Sequence, residues 1–425
     1  MAKKRLIENV LSLSSVQFVG YLLPLLTVPY LVRVLGPEKF GLIAFAQAFI
    51  LYFSYFTDYG FNYSAPREIS IHREDREHVN DIVMAVMLVK LAITAAGFCV
   101  FCALVFGIGR FRQHWALYLL SFGGVLGNVL LPTWFFQGIE RIKHIAFLNA
   151  TVKVFFTATI FLFIRSADDY LLVPLLNSLG FILAGLIGLV LMRVRFHIRA
   201  RFPTRTVLNH ELREGWTIFV SVLTINLYSA SGIFILGLFA PAAVVGYYSA
   251  ADKIVKALHG LLIWPLSQTI YPHIGKLSAQ SHDAGLSFAR RVIRIVAPVT
   301  FAISTVLFLF AGPVGHLIFG RQFIPSITIL RILAFLPFIM GISNILGVQI
   351  MLNYGLRKTF ARIILVASLL NLALSFSLVV PFQQVGIAVA VLITEVFVTL
   401  RMCIALERNR LSIFPFRIPF VAVRS

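Results

Sequence analysis

Charge is scarce in this chain, and acid is scarcer still. Only 13% of its 425 residues are Asp, Glu, Lys or Arg, roughly half the 25% usual in a soluble domain. That shortfall, with 59% hydrophobic residues and a mean hydropathy of +0.90, excludes a water-soluble globular protein. The 17 acids face 37 Lys and Arg, for a formal net charge of +20. In a soluble chain such an excess would raise nucleic-acid binding. Here the cations lie mostly between apolar runs, where they set orientation and meet anionic lipid headgroups, so no nucleic-acid partner is expected. Cysteine is nearly missing: Cys99, Cys102 and Cys403 all fall in apolar stretches. The Cys99-x-x-Cys102 pair lacks the turn and polar surroundings of redox or zinc chemistry, and all three read as small core residues. No Gly-rich phosphate loop lies between a strand and a helix, which argues against ATP-driven transport by this chain alone and leaves no cofactor, nucleotide or metal site to assign. Nor is there room between the apolar runs for a soluble domain. Met1-Ala2-Lys3-Lys4-Arg5 precedes a long apolar span without a small-residue cleavage site, so the first helix is expected to be retained.

What is present is a succession of apolar runs. Read against breaks of Gly, Pro and charge, they predict an all-α polytopic membrane protein with about twelve helices, near 9–32, 38–61, 80–107, 114–137, 146–164, 170–192, 213–239, 243–270, 290–319, 324–352, 358–380 and 384–406. The odd-numbered loops hold only Arg33, Lys39, Arg110, Arg112, Arg165 and Arg321, whereas both termini and the even-numbered loops hold most of the remaining cations. The positive-inside rule then puts both termini in the cytoplasm, together with the longest polar loops, around 62–79, 193–212 and 271–289.

The basic stretch 193–212 falls at the midpoint and reads as a cytoplasmic linker between six-helix lobes spanning 1–192 and 213–406, with a basic tail at 407–425. An internal repeat fits this division. Gly41-Leu42-Ile43-Ala44-Phe45-Ala46-Gln47 aligns with Gly246-Tyr247-Tyr248-Ser249-Ala250-Ala251-Asp252 at one constant offset, each copy preceded by a proline turn at Pro37 or Pro241. Lobes with even helix numbers enter the membrane in the same sense, so the expected symmetry is a pseudo-twofold axis along the membrane normal, with a central cavity between the lobes.

Several helices carry polar stripes. At 100° per residue, Thr217, Ser221, Thr224, Tyr228 and Ser231 share one face of the seventh helix. The eighth has Tyr248, Ser249, Asp252, Lys256, His259 and Ser267, the second has Gln47, Ser54 and Asp58, and the first has Gln17 and Tyr21 beside Pro24. Such stripes either line a wet cavity or glue helix to helix. Ionisable groups within spans are costlier and point to function by default. Lys90 and Lys153 are the deepest cations and have no acid within one turn of their own helices, so each must snorkel, find an acid on another helix or meet a transported anion. Asp252 and Lys256 are spaced for an internal pair. The groups able to exchange a coupling ion are Asp58, Asp252, His259 and Glu395.

Five strings resemble the polysaccharide transporter family, the flippases for O-antigen and related undecaprenyl-diphosphate-linked repeat units within the larger superfamily of multidrug and oligosaccharidyl-lipid exporters. They are LPLLTVPYL at 23–31, RVLGPEKFG at 33–41, DYGF at 58–61 with Arg67-Glu68, PTWFFQGIE at 132–140 and VGYYSAADKI at 245–254. The resemblance implies two six-helix lobes, alternating access, and a cationic cavity that admits diphosphate and sugars while the polyprenyl tail stays in lipid. It also implies a bacterial inner membrane, and as partners the lipid-linked oligosaccharide, membrane lipids, a polysaccharide polymerase and a chain-length regulator. On that basis Arg67, Lys90, Lys153, Lys253 and Lys256 are candidate contacts for diphosphate or acidic sugars, since ammonium and guanidinium groups complement phosphate oxygens. A drug exporter of the same superfamily is the alternative, and would favour an acidic cavity. A membrane polymerase or glycosyltransferase would need a sizeable outer loop, but Asp168-Asp169 lies in a turn of about five residues and reads as a helix cap.

Overall fold

The computed structural model describes the backbone of residues 2–199, 201–411 and 413, and the side chains of 20–411 and 413 except at 144, 200, 217, 221, 222 and 224–230. In chain order the helices are α1 (Ala2–Asp58), α2 (Phe61–Ile71), α3 (Arg76–Gly107), α4 (Gly109–Arg112), α5 (Trp115–Leu130), α6 (Thr133–Gly138), α7 (Ile142–Phe163), α8 (Leu172–Phe196), α9 (Arg205–Phe239), α10 (Ala242–Gln280), α11 (His282–Leu309), α12 (Ala311–Phe319), α13 (Ile324–Leu333), α14 (Leu336–Asn344) and α15 (Arg357–Arg408). A π-helical segment, Ile345–Met351, follows α14.

Eight segments among the described residues are long and apolar enough to cross a bilayer. Two of them, Gly20–Ile71 and Arg357–Arg408, run for 52 residues, where roughly 20 suffice for one crossing. Each is interrupted by non-helical backbone, at Gly36 (φ 71°, ψ 175°) in α1 and at Gln383 (φ 45°, ψ −123°) in α15. Gly36 takes its left-handed φ without steric cost, while Gln383 holds one with a full side chain. Split there and counted with α9 and α10, the helices accommodate the twelve crossings expected. The protein is an all-α, multi-pass membrane protein.

The stretches read as polar loops are largely helical. α2 occupies most of the first, α8 continues to Phe196 and α9 starts at Arg205, and only Ser281 separates α10 from α11. Hydropathy marks where apolar side chains stop, but Glu, Lys, Arg, Gln and Ala are good helix formers, so a helix runs on past the edge of the hydrocarbon. Two of the helices begin at a side-chain cap. Asp75 accepts from the His78 N–H at 3.0 Å at the head of α3, and Ser281 from the Ala284 N–H at 3.4 Å at the head of α11. Asp169 Oδ2 accepts from the Arg165 and Ser166 N–H groups at 2.9 and 2.8 Å, so this acid acts as a cap.

The chain forms two compact units, Met1–Leu23 with Leu42–Ala230 and Pro24–Gly41 with Ser231–Ser425. In the first, Phe61, Ile69, Val83 and Val86 pack around Trp134, Phe135 and Phe136, so the PTWFFQGIE string builds core. An aromatic stack lies in the same unit, with Phe49 5.0 Å from Phe111 and Phe101 4.7 Å from Phe122 between ring centroids. The second unit gathers Ile274, Ala289, Leu346, Ile350 and Ala367 from α10, α11, the π segment and α15.

Within the second unit the leading residues of the two sequence repeats meet, Pro37 and Gly41 against Ala242 and Gly246. A β-carbon on Gly41 would fall 1.7 Å from the Ala242 carbonyl oxygen, and one on Gly246 would fall 2.1 Å from that of Pro37. The offset that aligns Gly41 with Gly246 also aligns Pro37 with Ala242, so the contact is reciprocal, as twofold-related segments make it.

Candidate functional site

The first unit holds a half-open cavity of about 630 Å³ lined by α1, α2, α5 and α8. On α1, Gln47, Leu51, Ser54 and Asp58 reach it at steps of four, three and four, one face of a helix. α5 presents Ser121, Gly124 and Asn128, α8 presents Pro174, Asn177, Ser178 and Phe181, and α2 adds Asn62 and Tyr63. The serines are satisfied by backbone. Ser121 donates to Leu117 O at 2.7 Å, Ser178 to Leu120 O at 2.5 Å and Ser54 to Ile50 O at 3.4 Å. Asn177 Nδ2 donates to Val173 O at 2.9 Å, which leaves its Oδ1 as an acceptor.

Among the described residues, Asp58 is the one charged side chain in the lining, and it is paired. Lys90 of α3 donates to its Oδ1 at 3.3 Å, with the lysine side chain 2% exposed and the carboxylate 13%. The acid missing from Lys90's own helix is supplied by α1. The DYGF string explains how: α1 ends at Asp58, and Tyr59 (φ 49°) and Gly60 (φ 81°) turn the chain back through left-handed conformations into α2.

The other residues singled out from sequence are placed as follows. Lys153 is exposed on α7, within the span Ile145–Phe163, with its Nζ against Gly20 of α1. Arg67 lies 3.8 Å from Glu214, both well exposed, a geometry of small energetic weight. In the second unit Lys256 pairs with Asp252 at 2.9 Å, as their spacing predicts. Lys253 sits over the Phe40 ring at 5.2 Å. Tyr248 is buried, as is Glu395, and His259 Nδ1 is buried without a hydrogen-bond partner among the described residues. Next to Glu395, Thr394 Oγ1 accepts from Asn371 Nδ2 at 3.2 Å, and Asn371 Oδ1 accepts from Ser231 at 3.4 Å. Tyr21 is half-buried. The side chains of Gln17, Thr217, Ser221, Thr224 and Tyr228 lie outside the described residues. The structure thus joins Gln47, Ser54 and Asp58 at one cavity with Lys90 behind it. Sequence reasoning misses Asn62, Asn128 and Asn177, although an amide isolated in an apolar run is a signal for the last two.

At the polar start of α9, ahead of its apolar run, Glu211 is buried, and its Oε2 lacks a partner among the described residues. Burial, then the Glu68 and Glu214 carboxylates, push its carboxyl up to about 7. A raised acid favours the folded state in its protonated form, so this contribution is fully present below the ordinary value near 4.5 and is lost as pH rises through about 7. The purified protein is expected to melt at lower temperature at pH 8 than at pH 5.5, with Glu211→Gln flattening that slope. An unchanged slope in the variant would assign the pH dependence to other groups.

Comparison with known proteins adds to this geometry. A family model described as "Polysaccharide biosynthesis protein" matches residues 6–278. The "Putative O-antigen transporter" of Escherichia coli (strain K12) is 32% identical over 412 residues, covering 97% of this chain and 99% of that one. The "Putative O-antigen transporter" of Shigella dysenteriae is 26% identical over 406 residues, covering 94% and 100%. Among solved structures, "Lipid II flippase MurJ, inward closed conformation" superposes with a TM-score of 0.74 at 14% identity, covering 93% of this chain and 87% of that one, a likeness of fold.

Proposed function

The chain belongs to the polysaccharide biosynthesis protein family, and on that premise we propose that it flips an undecaprenyl-diphosphate-linked oligosaccharide from the cytoplasmic to the periplasmic leaflet of a bacterial inner membrane. It is a transporter rather than an enzyme. The observation that carries the reading is a cavity in the first unit, set among apolar helices, whose mainly apolar wall carries the polar side chains Gln47, Ser54, Asp58, Asn62, Asn128 and Asn177. A polar head crossing a bilayer needs a polar path, and polar groups at membrane depth are retained where they line one. Alternating access moves the head through such a path while the polyprenyl chain stays in lipid. Both termini lie in the cytoplasm, where the basic loops meet anionic lipid. The lobes lie at 1–192 and 213–406, joined by the linker 193–212. Polysaccharide polymerase and chain-length regulator act on the delivered product.

Lys153, exposed at mid-span, is the cation we assign to the diphosphate, with Arg67, Lys253 and Lys256 as further contacts. In a strain lacking its own O-antigen flippase, the wild type restores surface polysaccharide, and Lys153→Ala at matched abundance lowers it at least tenfold with precursor accumulating inside. Full activity in the variant would make the lysine structural; wild-type failure across hosts making different repeat units would overturn the reading. Coupling to a proton or sodium ion is assigned to Asp58, with Asp252, His259 and Glu395 as the other exchangeable groups. Flipping measured under imposed proton and sodium gradients tests it, and indifference to both removes it.

A further inference from the structure

We propose that the cavity of the first unit is the subsite that reads the sugars, binding the uncharged hydroxyl and amide groups of the oligosaccharide, while the diphosphate is held by cations outside it. The inference rests on the flippase reading and names what this cavity recognises. Four carboxamides from four helices, Gln47 of α1, Asn62 of α2, Asn128 of α5 and Asn177 of α8, converge on it. Among the described residues no protein group hydrogen-bonds the side chain of Asn62 or Asn128, and Asn177 keeps its Oδ1 unused. Half-buried asparagines in or beside apolar spans, unpartnered by these residues yet facing a shared cavity, are set to be satisfied by what enters it.

The chemistry of the lining selects among entrants. A carboxamide both donates and accepts, which complements a sugar hydroxyl or acetamido group that does the same. A phosphate oxygen only accepts, and calls for Lys or Arg. The described lining contains neither, and its single carboxyl side chain, Asp58, is already bonded to Lys90. An anionic diphosphate therefore has no counter-charge available here. A cationic drug is disfavoured equally, because the carboxylate's charge is compensated. Tyr55, Tyr63 and Phe181 add ring faces to the wall, against which the C–H face of a pyranose packs. At about 630 Å³ the space lies within the range of roughly 300–1,000 Å³ typical of ligand sites. A site built to hydrogen-bond hydroxyls rejects analogues lacking them, so these residues also set which repeat units pass.

Two probes separate the sugar from the diphosphate: the oligosaccharide freed by mild acid from the precursor of a strain that the wild type complements, and farnesyl diphosphate. Binding of each is measured by calorimetry to detergent-purified full-length protein. Asn128→Leu and Asn62→Ala are expected to weaken oligosaccharide binding at least tenfold and to leave farnesyl diphosphate within twofold of wild type; Lys153→Ala is expected to do the reverse. Should a variant lose both ligands through misfolding, the isosteric Asn177→Leu, which removes the free Oδ1, decides by the same criterion. A wild type that complements yet does not bind the free oligosaccharide, or amide variants that bind it like wild type, would overturn the sugar subsite and leave the flippase reading standing. A wild type that complements no strain would overturn both.

Discussion

Gly41→Ala and Gly246→Ala are expected to be among the most damaging single substitutions in this protein, although each adds only one methyl group. In both places the new β-carbon would lie where a backbone carbonyl oxygen already sits, 1.7 Å away at Gly41 and 2.1 Å at Gly246. Backbone cannot rotate aside as a side chain does, so the two helices must separate along the whole contact, and the van der Waals packing that drives helix association in lipid is lost. Overpacking of a core typically costs about 1–3 kcal/mol, and an obstruction of this depth belongs at or above the top of that range. The measurable outcome is a melting temperature in detergent lowered by many degrees and membrane abundance lowered several-fold, in each variant alone. Because the contact is reciprocal, the two variants should behave alike. Gly107→Ala is the control, since a β-carbon there meets nothing within 4 Å. Wild-type stability in Gly246→Ala would show that the repeat copies are not packed backbone to backbone.

The glycine contact also shows how far residue order alone reaches. In a bilayer each span must satisfy its own backbone hydrogen bonds, so the apolar runs report helices directly, and the all-α fold follows. The repeat is legible as residue identity, and its glycines are the contact itself. What stays hidden in the sequence is tertiary. Asn128 shares its face of α5 with Ser121, and Asn177 has only Ser178 beside it, too little polarity to mark a stripe in the sequence; only the convergence of α2, α5 and α8 makes them a site. Lys90 has no acid nearby in sequence because its partner lies 32 residues away on another helix. The strings carrying the family resemblance are readable as identity but not as mechanics: DYGF is a left-handed turn that aims a carboxylate, RVLGPEKFG holds the Gly36 break and half of the glycine contact, and PTWFFQGIE is a buried aromatic core.

The Asp58–Lys90 pair carries the second large expectation, and its asymmetry decides the form. The lysine is sealed, at 2% exposure, whereas the carboxylate reaches the cavity at 13%. Asp58→Ala therefore strands a buried ammonium with no counter-charge, a loss of about 3–5 kcal/mol, while replacement of a whole buried pair by apolar groups of similar volume is often neutral. Lys90→Met should be milder, because the remaining carboxylate can be hydrated from the cavity. The expected order of melting temperatures is wild type close to Asp58→Asn/Lys90→Met, then Lys90→Met, then Asp58→Ala far below. Transport should divide differently. If Asp58 exchanges the coupling ion, the double variant recovers abundance and still fails to restore surface polysaccharide, since its amide cannot ionise. Wild-type transport by a folded double variant would place ion exchange elsewhere, with Glu395 the next residue to test, and would leave the pair as a device that fixes α3 against the end of α1.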